Sequence, residues 1–187
     1  MRVMVPVSNG FEEIELVTIV DILRRAGIDV IITGLKGSFV EGSHGLRIFV
    51  DRKISDVNAE EFDGVVIPGG SENVRQLSLS SKLKEIVTEI FRKGKLIAAI
   101  CAAPLLLGRW GILEGKKATI YPGLEKHIPY PRSDDVVIDG NVITSQGPGT
   151  AIEFSLAVVE KLVGSEVKEK IRKEILFRTN INHSPVV

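Results

Sequence analysis

Cys101 is the only cysteine in the 187 residues, and everything reactive in the chain has to be read around it. Five apolar residues, Leu96-Ile97-Ala98-Ala99-Ile100, run directly into it, and Ala102-Ala103-Pro104 run out. A short all-apolar run has the pattern of a strand buried on both faces of a parallel sheet. The stretch from Ala102 to Leu107 reads as a helix with Pro104 in its first turn, where the missing N–H is harmless. Cys101 is therefore expected on a strand-to-helix turn, at the carboxyl end of a central strand, where open α/β sheets place their ligands. Free N–H groups and a helix dipole beside a thiol favour the thiolate, so a lowered pKa is expected. The competing reading is a small buried cysteine that only fills space.

Further residues on the same sheet edge could serve such a thiol. Glu15 lies within the apolar stretch Ile14 to Val20 of the first helix, which predicts partial burial and a raised pKa. A carboxylic acid beside a thiolate can donate a hydrogen bond and move a proton. Glu12 and Glu13 fit the plainer role of acids at a helix N-terminus. Gly69 and Gly70 end a strand in Pro68-Gly69-Gly70, and their N–H groups can approach a substrate oxygen closely. A simple strand-ending turn explains the same pair. Tyr121 and His127 fall in a loop after a short strand, within possible reach of the site, although each alone is more often a rim residue.

The elements that must position these residues alternate between strand and helix. Strands are expected at Arg2 to Val7, Asp29 to Leu35, Gly64 to Ile67 and Lys117 to Ile120, besides the strand leading into Cys101. Helices are expected at Phe11 to Ala26, closed by Gly27, at Ser80 to Arg92 and at Ala151 to Val163. Gly34 to Gly45 is a loop or short β excursion, and Leu46 to Val50 is extended. Asn58 to Glu61 has capping-box spacing. Val136 to Ile138 and Val142 to Thr144 flank Asp139-Gly140, a hairpin pattern. Ser165 is expected to cap a last charged helix reaching about Leu176. Residues 1–176 then form one domain with a mostly parallel sheet covered on both faces. Phe177 to Val187 reads as a polar tail whose composition is compatible with disorder.

Composition narrows the function classes. The chain is 44% hydrophobic and 26% charged, with a formal net charge of zero. No basic block stands apart from acidic neighbours, which argues against nucleic acid and anionic membrane as partners. One cysteine excludes an internal disulfide, and three scattered histidines give no metal-ligand spacing. Met1-Arg2 leads directly into a strand with no signal-peptide pattern and no bilayer-length apolar run, so a cytoplasmic, reducing location is expected.

Taken together, Gly10-Phe11-Glu12-Glu13-Ile14-Glu15, Asp21 to Gly27, Val65 to Gly70, Ile97 to Pro104 and Thr144 to Thr150 resemble the ThiJ/PfpI superfamily. The resemblance is to the branch of the parkinsonism-associated deglycase and covers Met1 to about Leu176. It implies a flavodoxin-like three-layer sandwich, a homodimer, Cys101 as the reactive cysteine on a nucleophile elbow and Glu15 as its hydrogen-bonded acid. It also implies Gly70 and Ala102 as N–H donors around the substrate oxygen. Tyr121 stands where that branch often has a histidine, and His44 where some members have an anion-binding arginine. The peptidase branch has a histidine directly after the cysteine, where this chain has Ala102.

The function expected from these residues and the resemblance is a cysteine enzyme of glyoxalase or deglycase type. It would act on α-oxoaldehydes or their early adducts with amines and thiols, with neither metal nor organic cofactor. A stress protein of redox-sensing or chaperone-like character, working through oxidation of Cys101, is the main alternative. An intracellular cysteine peptidase is a third reading. A class I glutamine amidotransferase would need a histidine–glutamate pair late in the chain, and none is found. The apolar residues Ile14, Val17 and Ile19 of the first helix are expected to supply the dimer contact.

Overall fold

The structure is a computed structural model and describes residues 1–178. Strand β1 (Arg2–Val7) leads to helix α1 (Glu13–Arg25) and strand β2 (Asp29–Gly34). A hairpin of β3 (Phe39–Glu41) and β4 (Arg47–Phe49) precedes the short β5 (Arg52–Lys53). Next come β6 (Gly64–Ile67), α2 (Ser71–Leu77), α3 (Ser81–Arg92), β7 (Leu96–Ile100) and α4 (Pro104–Arg109). Strands β8 (Lys117–Ala118) and β9 (Tyr130–Pro131) pair with each other. The hairpin β10 (Val136–Asp139) and β11 (Val142–Ser145) then leads to α5 (Ala151–Val163) and α6 (Ser165–Glu174).

Seven strands form one sheet in the order β10-β11-β7-β6-β1-β2-β5, parallel except for the β10–β11 hairpin. The all-apolar β6 and β7 are buried along their whole length in the middle of this sheet. Alternation along β1 sends Val3, Val5 and Val7 to the face covered by α1, α5 and α6, and Met4 to the face covered by α3 and α4. The result is the expected three-layer, flavodoxin-like sandwich, with two apolar cores separated by the sheet.

Several local expectations are revised. Helix α1 begins at Glu13 rather than Phe11, because the Glu12 carboxylate caps it by accepting the Glu15 N–H at 2.7 Å. Asn58 and Glu61 form the expected capping box, with Asn58 N–H donating to Glu61 Oε1 at 2.9 Å, but what it opens is a single 3₁₀ turn. Ser165 is the first residue of α6 and caps nothing; Gly164, at φ 96°, serves as the boundary of both α5 and α6. Helix α2 and strand β9 form in stretches where the sequence pattern indicates no element. Phe177 belongs to the domain rather than to a tail. Its N–H bonds Arg172 O at 3.0 Å and its ring packs on the α5–α6 core, while the rest of the expected tail, from 179 onward, lies outside the described residues.

Candidate active site

Cys101 stands at the carboxyl end of β7 with φ 63°, a left-handed conformation that a non-glycine residue holds at a cost of about 1–3 kcal/mol. Its own N–H donates to Ser145 O at 3.0 Å, and its carbonyl accepts the Tyr121 N–H at 2.9 Å. Bonds on both sides of the residue hold the strained turn in place. The side chain is thereby thrown off the strand path, and the thiol stays partly accessible. This is the elbow that the apolar run followed by Pro104 foretold.

Glu15 approaches the thiol from α1. It is fully buried, its Oε2 accepts the Gly69 N–H at 2.7 Å, and its Oε1 has no hydrogen-bond partner among the described residues. Gly69 makes this convergence possible by lacking a side chain. A Cβ there would lie 2.5 Å from Cys101 Cβ, 2.7 Å from Glu15 Oε2 and 3.0 Å from Cys101 Sγ. Gly70 is just as constrained, since a Cβ on it would fall 2.1 Å from Gly10 O at φ 91°. Both glycines are therefore demanded by close approach, beyond what a strand-ending turn requires. The Gly69 N–H is engaged by Glu15, which leaves the Gly70 and Ala102 N–H groups as the donors at the sulfur. Gly69 thus positions the acid instead of donating to a substrate oxygen.

The electrostatics of the pair follow from burial. Burial first, with Glu12's charge adding, pushes the Glu15 carboxyl up to about 7 against the Gly69 N–H and the Cys101 thiol. Burial and then the Glu15 charge push the Cys101 thiol up to about 12, against the pull of the Gly70 and Ala102 N–H groups. The expectation of a lowered thiol pKa is overturned, with burial as the first cause and the Glu15 charge as the second. Helix α4 is only six residues long and starts three residues past the sulfur, so its dipole gives little help. Protonating Glu15 removes the repelling charge and turns the unpartnered Oε1 into a donor. The thiolate is thus less disfavoured in the state where Glu15 carries the proton, with burial still opposing it, and the two groups titrate as a pair.

The remaining candidates are placed less centrally. Tyr121 joins the elbow through its backbone, while its side chain is exposed and packs near Gly147. His127 ends an exposed 3₁₀ turn, Glu125–His127, and its carbonyl lies over Gly108 of α4. No interaction joins His127 to Glu15 or Cys101 among the described residues. His44 projects from the β3–β4 hairpin onto α1, where its Nδ1 meets Glu13 Oε2 at 2.9 Å and this bond raises its pKa. Ligand atoms of Glu12, Glu13 and His44 lie within 4.8 Å of one another. Glu12 is engaged by the Glu15 N–H and Glu13 by His44, so this group acts as a cap and an ion pair.

Sequence reasoning missed two contributors. Glu12 repels the Glu15 charge, and only its place in the turn before α1 hints at that role. Asn73 is fully buried on α2, accepts the Ser8 N–H at 2.7 Å and donates to Pro68 O and Gly69 O at 3.0 and 3.1 Å. An asparagine three residues past a Pro-Gly-Gly turn was the available clue.

Comparison with known proteins places this arrangement among relatives. The chain is 38% identical over 184 residues to an Arabidopsis thaliana protein, DJ-1 homolog A, covering 95% of this chain and 47% of the plant protein. It therefore spans about half the length of that relative. It is 35% identical over 153 residues to a Pyrococcus abyssi protein named as a deglycase, covering 80% of this chain and 92% of the archaeal one. The oxidized form of Toxoplasma gondii DJ-1 superposes with a TM-score of 0.91 at 37% identity, over 94% of this chain and 97% of that one. Residues 1–161 match the DJ-1/PfpI family. With its elbow cysteine, buried glutamate and paired glycines carried on that fold, the chain belongs to the DJ-1/PfpI family.

Proposed function

We propose that the protein is a cysteine enzyme of glyoxalase or deglycase type, acting on α-oxoaldehydes or their early adducts with amines and thiols. The observation that carries this reading is the convergence of Cys101 Sγ and a buried Glu15 titrating near neutrality. The deglycase name of the Pyrococcus relative supports it. With methylglyoxal, the thiolate adds to the aldehyde carbon and the oxygen takes a proton, giving a hemithioacetal. Glu15 removes the proton from that carbon and returns one to the neighbouring carbonyl carbon, so that a hydroxyacyl thioester results. The Gly70 and Ala102 N–H groups hold the oxygen as negative charge develops. Water then cleaves the thioester, releasing lactate and the free thiol. Both carbons change oxidation state within one molecule, so the sequence of steps balances without a redox cofactor.

The assigned partner is a small carbonyl compound, with a second copy of the chain along α1, and the assigned location is the cytoplasm. No helix among the described residues is long and apolar enough to cross a membrane. The second reading, a redox sensor, draws support from the oxidized state of the Toxoplasma relative. The donors around Cys101 would hold a sulfinate formed by peroxide just as they would hold a substrate oxygen. A peptidase is disfavoured because Ala102 follows the cysteine and His127 makes no contact with it.

The reading is tested by following methylglyoxal loss without glutathione. Wild type should consume it and form lactate, and Cys101→Ala should fall to the uncatalysed background. Equal rates for the two proteins would overturn the assignment.

A further inference from the structure

We propose that Asn73 is a positioning residue for the thiol–carboxyl pair, because its one amide group orients both peptide planes whose N–H groups face Glu15 and Cys101. The inference rests on reading that pair as the reacting centre. In a trans peptide the C=O and N–H point in opposite directions, so fixing one aims the other. The Pro68–Gly69 peptide presents its carbonyl to Asn73 Nδ2 at 3.0 Å and its N–H to Glu15 Oε2 at 2.7 Å. The Gly69–Gly70 peptide presents its carbonyl to the same Nδ2 at 3.1 Å and its N–H to the Cys101 thiol. Asn73 is in turn fixed at Oδ1 by the Ser8 N–H at the end of β1, at 2.7 Å.

An anchor is needed here because the turn cannot orient itself. Gly69 and Gly70 carry no Cβ to restrict rotation, and close approach forbids them one. The Glu12 N–H reaches Gly69 O at 3.3 Å, but Pro68 O has no backbone donor among the described residues. Asn73 therefore supplies the rigidity that two consecutive glycines give up. Its effect on the site has a defined sign. The Gly69 N–H lowers the Glu15 pKa and the Gly70 N–H lowers that of Cys101, so releasing both peptides raises both groups. The charged group acting on the thiol is Glu15 of α1, and the one acting on Glu15 is Glu12, the cap of the same helix; the elbow and the glycine turn offer only backbone N–H groups.

The test is the pH dependence of Cys101 alkylation by iodoacetamide in the full chain, which does not require turnover of any substrate. Asn73→Ala should move the midpoint to a pH about one higher, a roughly tenfold loss of thiolate at a fixed lower pH. Val74→Ala, which trims a core side chain on the same helix outside this network, should leave the midpoint in place. An unmoved midpoint in folded Asn73→Ala, or an equal displacement in Val74→Ala, overturns the proposal. Should Asn73→Ala fail to fold, hydrogen exchange of the Asn73 side-chain amide in the wild type decides. Exchange slowed at least tenfold relative to exposed Asn9 supports the anchor, and equal exchange removes it. A displaced alkylation midpoint in a protein that never consumes methylglyoxal would leave Asn73 as a positioning residue while sinking the enzyme reading.

Discussion

At the scale of the residue, burial of one carboxyl group has consequences for stability as well as for chemistry. Glu15 has a pKa of about 7 in the folded chain against an ordinary 4.5, so folding favours its protonated form. That contribution is fully present below about pH 4.5 and is lost as the pH rises through 7, where the folded chain must hold a buried charge. Glu15→Gln keeps the acceptor for the Gly69 N–H and never ionises. It should stabilise the protein at pH 8 by on the order of 3 kcal/mol and change little at pH 4, since a tenfold change in proton affinity is worth about 1.4 kcal/mol. Urea unfolding at the two pH values checks this; equal effects at both would contradict it. The burial of Glu15 was legible in its apolar neighbours. The raised thiol pKa was not, because it depends first on how the folded chain buries the sulfur and then on a charge 86 positions away in sequence. Asn73 left only the clue of an asparagine three residues past a Pro-Gly-Gly turn, since its role is defined by Ser8 and by two carbonyl orientations.

At the scale of the element, local pattern was enough wherever a segment was long or wholly apolar. Strands β1 and β6 and helix α5 fall where their periodicity placed them, and the β10–β11 hairpin closes at Gly140 as Asp139-Gly140 indicated. The elbow was legible because three patterns coincide at one point: an apolar strand, a lone cysteine and a proline two residues beyond Ala102. Helix α2 was hidden by its seven-residue length directly after a turn, although Val74 and Leu77 carry the inward spacing and Glu72 pairs with Arg75. Strand β8, expected at Lys117 to Ile120, is only Lys117–Ala118 and pairs with β9, whose two residues carry no periodicity. Ser165 misled because a favourable cap residue was available while a one-residue link between α5 and α6 required glycine at the boundary.

At the scale of the whole molecule, the face of α1 that points away from the sheet bears Ile14 and Val17, 57% and 49% exposed. Ile19, expected with them, is fully buried in the core instead, so the exposed apolar face of α1 is narrower than the sequence implied. Val17 also lines a mostly apolar hollow with Leu16, Val20, Ile32 and Ile48, edged by Asp21 and Arg24. A two-fold pairing of α1 with its copy would cover this surface without generating an open chain of contacts. Light scattering at micromolar concentration should give about twice the 20.4 kDa chain mass, and Val17→Arg should return the mass toward the monomer. A wild-type mass near 20.4 kDa would contradict the pairing.

The central claim is that Glu15 moves a proton during turnover at Cys101, and one measurement addresses it directly. Lactate formation from methylglyoxal is followed in wild type and in Glu15→Gln, with intact mass recorded after peroxide treatment of both. Glutamine keeps the size and a hydrogen-bond donor but cannot act as a base. The account predicts that turnover falls by about 10²-fold or more while two oxygen atoms still add at Cys101. Turnover retained in Glu15→Gln, or absent from the wild type while both proteins oxidise cleanly, would contradict it.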